Sequence, residues 1–478
     1  ASSVSFSNND STFNALTANG GSGTSFGSGL TIATDTGKLA LDSTSITSAG
    51  ALTLTGATGI DFRAGVAFTA GGDLTMSTTS GDISGTGAFT LTSTGNISLT
   101  KNLTTAGATI ITADSDGSGV GDFSIDASTT LSTGNNSLTL TANDVTVSGS
   151  INSGTGSTTI AVSDGGTIGL GGTSGNMTIT GTELGNITAG TLNIGNSSTG
   201  NITVDGISAA NSNNATTVNL TTASASSVSF SNNDSTFNAL TASSGKGINQ
   251  SVNVTTSSTA TLDADSNDDG SGDYSNTAGT FSTGGSALSI TANDFGLSGA
   301  INTGTGTTTI LISDGGSIGL GSTVGNMTIT GTELGKITAG TLTIGDSTAG
   351  AMTVNGISSA NSTNITTVDL NSSSIVFSTG DSTFNGLTAT ANTGTITGAV
   401  ALTVAGTSTF TTSAINQSIT LSSTSNDFTS AVSFNTTGSS ANTTLATNSS
   451  IILGASTIGG DHSVTVGGTS KTLNISGA

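Results

Sequence analysis

Residues 263–273 read Asp-Ala-Asp-Ser-Asn-Asp-Asp-Gly-Ser-Gly-Asp. Asp265, Asn267 and Asp269 stand at alternate positions, and Gly270 follows. This is the first half of an EF-hand-type calcium loop, in which alternating oxygens converge on the ion and glycine permits the sharp turn. The closing glutamate is missing: Asn276 stands in its place, and Asp273 is the nearest substitute. A related loop at 113–123 sets Asp114, Asp116 and Asp122 among Gly117, Gly119 and Gly121. The expectation is a Ca2+ ion at the first loop, with a weaker counterpart at the second. The competing reading is a polar loop that bulges from the fold and is acidic for solubility.

Other reactive residue types are sparse. Glu183 and Glu333, the only glutamates, both lie in Gly-Thr-Glu-Leu-Gly. A glycosidase pair needs carboxyls roughly 5–9.5 Å apart. Here the two are separated by a whole long repeat, so they read as a duplicated surface turn. Asp164 and Asp314 sit in Ser-Asp-Gly-Gly and read as Asx turns. His462 follows Asp461, with nothing to suggest a Ser–His–Asp arrangement. Arg63, Lys38, Lys101, Lys246, Lys336 and Lys471 are scattered against 28 acidic residues, for a net charge of −22. That excludes the basic footprint of a nucleic-acid binder, and it speaks against the carboxylate-plus-base chemistry of pectin-cleaving enzymes. With no Cys, thiol nucleophiles, Cys–metal sites and disulfides are excluded. The expectation is a protein that is not an enzyme. Phe6, Phe13, Phe230, Phe237, Phe377 and Phe384 recur in repeated blocks and read as core fillers, with stacking on surface glycans as the alternative.

What must position these residues is legible in the composition. There is no Pro, and there are 70 Gly among many Ser, Thr, Ala and Asn. Only 7% of residues are charged, so disorder by charge repulsion is not indicated. No apolar run reaches the roughly 20 residues of a transmembrane helix, and no signal peptide stands out. The chain begins at Ala1, which reads as a processed product or an excised piece. The acidic, Cys-free, Thr/Ser/Asn-rich composition suggests an extracellular or bacterial cell-surface location.

Repetition occurs at two scales. Residues 1–18 recur unchanged at 225–242 and in diverged form at 373–389. Residues 141–210 match 291–360 at 50 of 70 positions, sharing TAND, SDGGxIGL and GNMTITGTELG. The short repeat is Gly, then Asn or Asp, then apolar–Ser/Thr–apolar, as in Gly72-Asp73-Leu74-Thr75-Met76 and Gly95-Asn96-Ile97-Ser98-Leu99. Apolar–Thr–apolar sends both apolar residues to one side of a strand. Strands of three residues are too short for stable hairpins, but they can pair coil upon coil. Three steps of seven or eight residues give a coil of about 20–24 residues, within the solenoid range. The expected fold is all-β: one continuous right-handed parallel β-solenoid over 1–478, with about 20–23 coils and no capped helices. Absence of Pro agrees, because Pro removes a ladder hydrogen bond.

The string G-[DN]-[LIM]-[TS]-[LIMV], with AGGDLTMSTTSGDISGTGAFTLTSTGNISLT at 70–100, resembles the filamentous haemagglutinin family of bacterial surface β-helix proteins. The resemblance implies a secreted structural or adhesive role and specifies no site. The family's amino-terminal Asn-Pro signatures are absent. The functional expectation is a subunit of an extracellular filament or matrix that self-associates end to end through strand edges. The alternative is the shaft of a giant adhesin, with neighbouring repeats of a longer chain as its partners. Neither nucleic acid nor a membrane span is expected.

Overall fold

The structure is a computed structural model in which residues 3–63 and 65–475 are described. It is nearly all β, with parallel strands stacked in a solenoid of about 21 turns. The chain divides into two compact units, Ala1–Thr241 and Ala242–Ala478.

In the first unit each coil contributes three short strands, as Leu74–Thr78, Ile83–Gly85 and Phe89–Ser93 do. Each face then stacks in register. Leu30, Leu52, Leu74, Ile97, Phe123 and Val145 are successive partners on one face. Leu39, Ile60, Ile83, Leu103, Leu131 and Ile151 form a column on another. All of these side chains are buried. Burying a Leu or Ile side chain stabilises by about 1.5–3 kcal/mol, and every coil repeats that gain while its backbone pairs above and below. The intervening Thr53, Thr75, Ser98, Ser124 and Thr146 point outward, as period-2 alternation requires. Buried corner hydroxyls turn back onto nearby carbonyls: Thr34 Oγ1 donates to Gly37 O at 2.7 Å, and Thr133 Oγ1 to Asn136 O at 2.6 Å. Polar groups at the corners are thereby satisfied without water.

The second unit is built alike. Met352, Ile375, Ile396 and Ile419 stack on one face. Phe237, Phe377 and Phe384 are buried core fillers there and in the first unit, as is Phe230, whereas Phe6 and Phe13 are half-buried. Phe410 and Phe434 stack with centroids 5.7 Å apart.

Each unit departs once from simple stacking, at the duplicated segment. In the first unit, Ile168–Gly171 and Met177–Ile179 are consecutive parallel strands. The later one lies on the far side of the earlier one, which itself pairs with Ile202–Asp205. The chain therefore steps forward, loops back, and resumes through a short helix, α1 (Gly181–Gly185). A second short helix, α2 (Ala209–Ser212), follows. The second unit repeats the excursion with Ile318–Gly321, Met327–Ile329 and α3 (Gly331–Leu334). α2 has no side-chain cap, whereas α1 and α3 are capped short helices that no helical periodicity in the sequence had marked. Their cause is a Thr-x-x-Glu capping box: Thr180 Oγ1 accepts from Glu183 N–H at 3.2 Å, and Glu183 Oε2 accepts from Thr180 N–H at 2.9 Å.

Candidate functional site

The acidic loops are two copies of one construction. Counting from Ala113 and Ala264, both run ten residues to Asp122 and Asp273. Asp114 and Asp265 occupy the same place, and both are buried, at 1% and 0% exposure. Asp114 Oδ1 accepts from Ser118 N–H at 2.8 Å, and Oδ2 accepts from Gly119 N–H at 3.0 Å and Ser163 Oγ at 2.6 Å. Asp265 accepts from Asp269 N–H at 3.3 Å, Gly270 N–H at 3.2 Å and Ser313 Oγ at 2.6 Å. Each loop thus wraps one carboxylate and is latched to a serine 49 or 48 residues downstream. Glycine is required where the loop returns: a Cβ on Gly121 would lie 2.2 Å from Asp114 N, and one on Gly272 would lie 2.0 Å from Ala264 O. Burial pushes the Asp114 pKa up, but hydrogen bonds from Ser163, Ser118 and Gly119 outweigh it and hold the carboxyl below its ordinary range.

The other expected calcium ligands lie elsewhere. Asn267 Nδ2 donates to Asp269 Oδ2 at 2.7 Å, and Ser271 Oγ donates to Asp269 Oδ1, all on the exposed rim. Asp116 accepts from Ser118 N–H at 3.3 Å. Asp122 and Asp273 point to the next coil, where each accepts from an Asn side chain (Asn143, Asn293) and the following backbone N–H (Asp144, Asp294). Among the described residues no group of three or more His, Cys, Asp or Glu side chains is placed to hold a metal ion. Only the second loop carries Asp263, at the place of Thr112 in the first. One of its carboxylate oxygens is buried without a hydrogen-bond partner. Burial first, then the charges of Asp268 and Asp265, raise its pKa.

Glu183 and Glu333 do more than mark a turn. At each excursion two strands face one another without a backbone ladder, Val145–Val147 and Met177–Ile179 in the first unit and Phe295–Leu297 and Met327–Ile329 in the second. Side chains bridge the seam instead. Glu183 Oε1 accepts from Val147 N–H at 3.1 Å, and Asn186 Nδ2 donates to Val147 O at 2.9 Å. Asp144 Oδ1 accepts from Val145 N–H at 2.9 Å and from Thr178 N–H at 2.8 Å. In the second unit Glu333 accepts from Leu297 N–H at 3.0 Å, and Asp294 accepts from Phe295 and Thr328 N–H. There Lys336 replaces Asn186 and donates to Ser298 O at 2.6 Å. The signals for this seam were the Thr-x-x-Glu spacing and the unchanged Thr-Ala-Asn-Asp that ends in Asp144 and Asp294.

Burial, aided by the charges of Asp122 and Glu183, raises the Asp144 pKa. A carboxyl with a raised folded-state pKa favours the fold in its protonated form, and that contribution is lost as pH rises through the folded value. Asp144→Asn keeps the Oδ1 acceptor and removes the charge. It should melt at or slightly above the parent temperature at pH 7, whereas Asp144→Ala should melt lower, both followed by circular dichroism. A lower melting temperature for Asp144→Asn would show that the charge itself holds the seam.

The remaining reactive types do not converge. Lys38 pairs with Asp61 at 3.1 Å across adjacent coils on the surface. His462 is the register partner of Thr443, hydrogen-bonds it through Nδ1, and lies 5.7 Å from the Phe434 ring, with its pKa lowered by burial. Asp164 Oδ1 accepts from Gly166 N–H at 3.0 Å, the Asx turn expected of it. No helix among the described residues is long and apolar enough to cross a membrane.

A family model described as repeats of unknown function (DUF5649) matches residues 366–435. No curated protein matches the chain, and no solved structure does. The matched stretch runs from the strand Ile365–Ser372 into Ala431–Thr437, through coils paired in parallel like those elsewhere in the second unit. Match and fold together are those of a repeat β-helix protein.

Proposed function

We propose that this chain is a load-bearing structural element of a bacterial extracellular surface, a filament or matrix subunit related in kind to the filamentous haemagglutinins, and not an enzyme. The observation that carries the reading is how the polar groups are used. The buried carboxylates of Asp114 and Asp265 latch loops and the half-buried ones of Asp144, Glu183, Asp294 and Glu333 bridge seams, so the chemistry of the chain is spent on holding coil to coil. Pulling on such a stack loads many parallel backbone ladders, and the damage at any one coil is confined to its neighbours. Copies would associate by the same strand-edge pairing that joins coils within each unit. Few Lys and Arg residues leave few trypsin sites, which suits an extracellular location.

Negative-stain electron microscopy of the purified chain tests this. Fibres built of copies in series are the expected result. Uniform separate particles would instead assign the chain to the shaft of a larger adhesin. Shapeless aggregates would overturn the structural reading.

A further inference from the structure

Corner lengths vary from coil to coil in the first unit. Met76, Leu99 and Ile125 stack on one face, and Ile83, Leu103 and Leu131 on the next. Between them the chain uses residues 77–82, 100–102 and 126–130 in successive coils. The middle corner is the shortest, so it lies back between two bulging turns. The upper turn is closed by Thr129 N–H to Asp126 O at 3.1 Å, with Ser128 at φ 66°. The result is a polar recess of about 270 Å³, lined by Ser80, Asp82, Lys101, Asn102 and Ser128 among others. Asn102 braces its walls: Nδ2 donates to Asp82 Oδ1 at 3.0 Å, and Oδ1 accepts from Thr130 N–H at 2.8 Å. Lys101 is half-buried there, and its ammonium has no hydrogen-bond or ion-pair partner among the described residues.

The second unit supplies an internal comparison. Gln250 and Asn276, then Val254 and Phe281, hold the register positions of Leu99 and Ile125, then Leu103 and Leu131. Val252 stands at the place of Lys101, and the upper corner, 277–280, is one residue shorter than 126–130. The brace is retained, with Thr280 N–H to Asn253 Oδ1 at 2.8 Å. The space is not: a Cβ on Gly279 would lie 2.3 Å from the Val252 carbonyl carbon. Cation and room occur together in one copy and are lost together in the other.

We propose that this recess binds a carboxylate-bearing monosaccharide unit, with Lys101 Nζ pairing the carboxylate, the Ser128 hydroxyl exchanging hydrogen bonds with ring hydroxyls, and the Ser80 and Thr100 oxygens, whose own hydrogens go to Ala57 O and Met76 O, accepting from them. The volume lies just below the roughly 300–1,000 Å³ of drug-sized ligand pockets, the scale of a single sugar ring. Hydroxyl groups both donate and accept, as sugar hydroxyls require. In a chain of net charge −22 an unpaired ammonium set in a recess is a local exception. Asp82 also lines the recess, with its Oδ1 engaged by Asn102, and beyond roughly 8 Å at physiological salt the rest of the surrounding negative charge is largely screened. This inference stands apart from the structural role proposed above.

Saturation-transfer NMR on the sugar, with the full chain, tests it using D-glucuronate, glucose and acetate as probes. Glucuronate should bind, and glucose and acetate should bind at least about tenfold more weakly. Lys101→Ala should reduce glucuronate binding by a similar factor. Deleting Ser128, which copies the shorter turn of the second unit, should abolish it while the circular dichroism spectrum is unchanged. No transfer to glucuronate, equal binding of glucose or acetate, or full binding by either variant would overturn the proposal.

Discussion

Glu183→Ala is expected to open the seam of the first unit. The substitution strips an acceptor from Val147 N–H and from Thr180 N–H, and it removes one half of the capping box. Hydrogen bonds to charged acceptors contribute about 1.5–3 kcal/mol each, and a donor left buried without a partner costs about as much again. One such donor is affected, Val147 N–H, on a buried strand with no backbone partner on this side, whereas Thr180 is exposed and its N–H turns to water when the cap is lost. The local cost should therefore reach about 2–4 kcal/mol, the orphaned donor and the lost cap together. A repeat fold can open locally, so hydrogen exchange resolves the change at this seam residue by residue, beyond what a melting temperature reports. Hydrogen exchange by mass spectrometry should show peptides covering 145–147 and 177–186 exchanging orders of magnitude faster, with coils around Leu52 and Leu74 unchanged. Glu333→Ala should do the same at 295–297 and 327–336. Glu183→Gln keeps one carbonyl acceptor and should fall between parent and alanine variant. Unchanged exchange in Glu183→Ala would mean that water or neighbouring carbonyls replace the carboxylate, and the seam would lose its significance.

The contrast between what was legible and what was not follows from range. Of the strands that the short repeat places at 52, 60, 67, 74, 83, 89 and 97, all begin there but the third, which begins one residue earlier at Val66, because Gly-Asp/Asn followed by alternating apolar residues is a local signal. Leu74, Met76, Ile97 and Leu99 face inward as alternation requires. The reversal of Ile168–Gly171 and Met177–Ile179 was not legible: each strand alone obeys the short repeat, and their stacking order is decided by side chains such as Asp144 that lie 34 residues from their partners. The loop at 263–273 shows the same division. Its acidity and its glycines are plain, but oxygens at alternate positions converge only if the backbone coils around an ion. Asp268, at φ 50°, and Gly270, at φ 75°, turn the loop around the Asp265 carboxylate. The deciding partner, Ser313, belongs to a later coil. The recess at Lys101 was equally hidden, since it depends on the relative lengths of three corners and on no motif.

Asp265→Ala is the second substitution expected to act strongly, and it decides between latch and calcium ligand. The carboxylate accepts from two loop N–H groups and from Ser313 Oγ while wholly buried. Removing it orphans three donors, and each donor left buried without a partner costs about 1–3 kcal/mol. The loop at 264–273 and the turn at 313–316 should lose hydrogen-exchange protection together. If latching is the role, the parent chain should melt at the same temperature in millimolar calcium and in chelator, because the protein's own donors fill the acceptor sites. Ser313→Ala should then reproduce part of the loss. The pH response should mark the corresponding latch of the first unit. Asp114 has a folded-state pKa below its unfolded value of about 3.9, so its contribution is complete above that value and is lost as pH falls through the folded one. Protection of 113–122 should accordingly persist at pH 5 and fail in stronger acid, and Asp114→Asn should show the loss already at pH 7. A calcium-dependent rise in melting temperature would reverse the assignment. If that rise vanished in Asp263→Asn, the ion would sit against the unpartnered oxygen of Asp263, the carboxylate that the first loop replaces with Thr112.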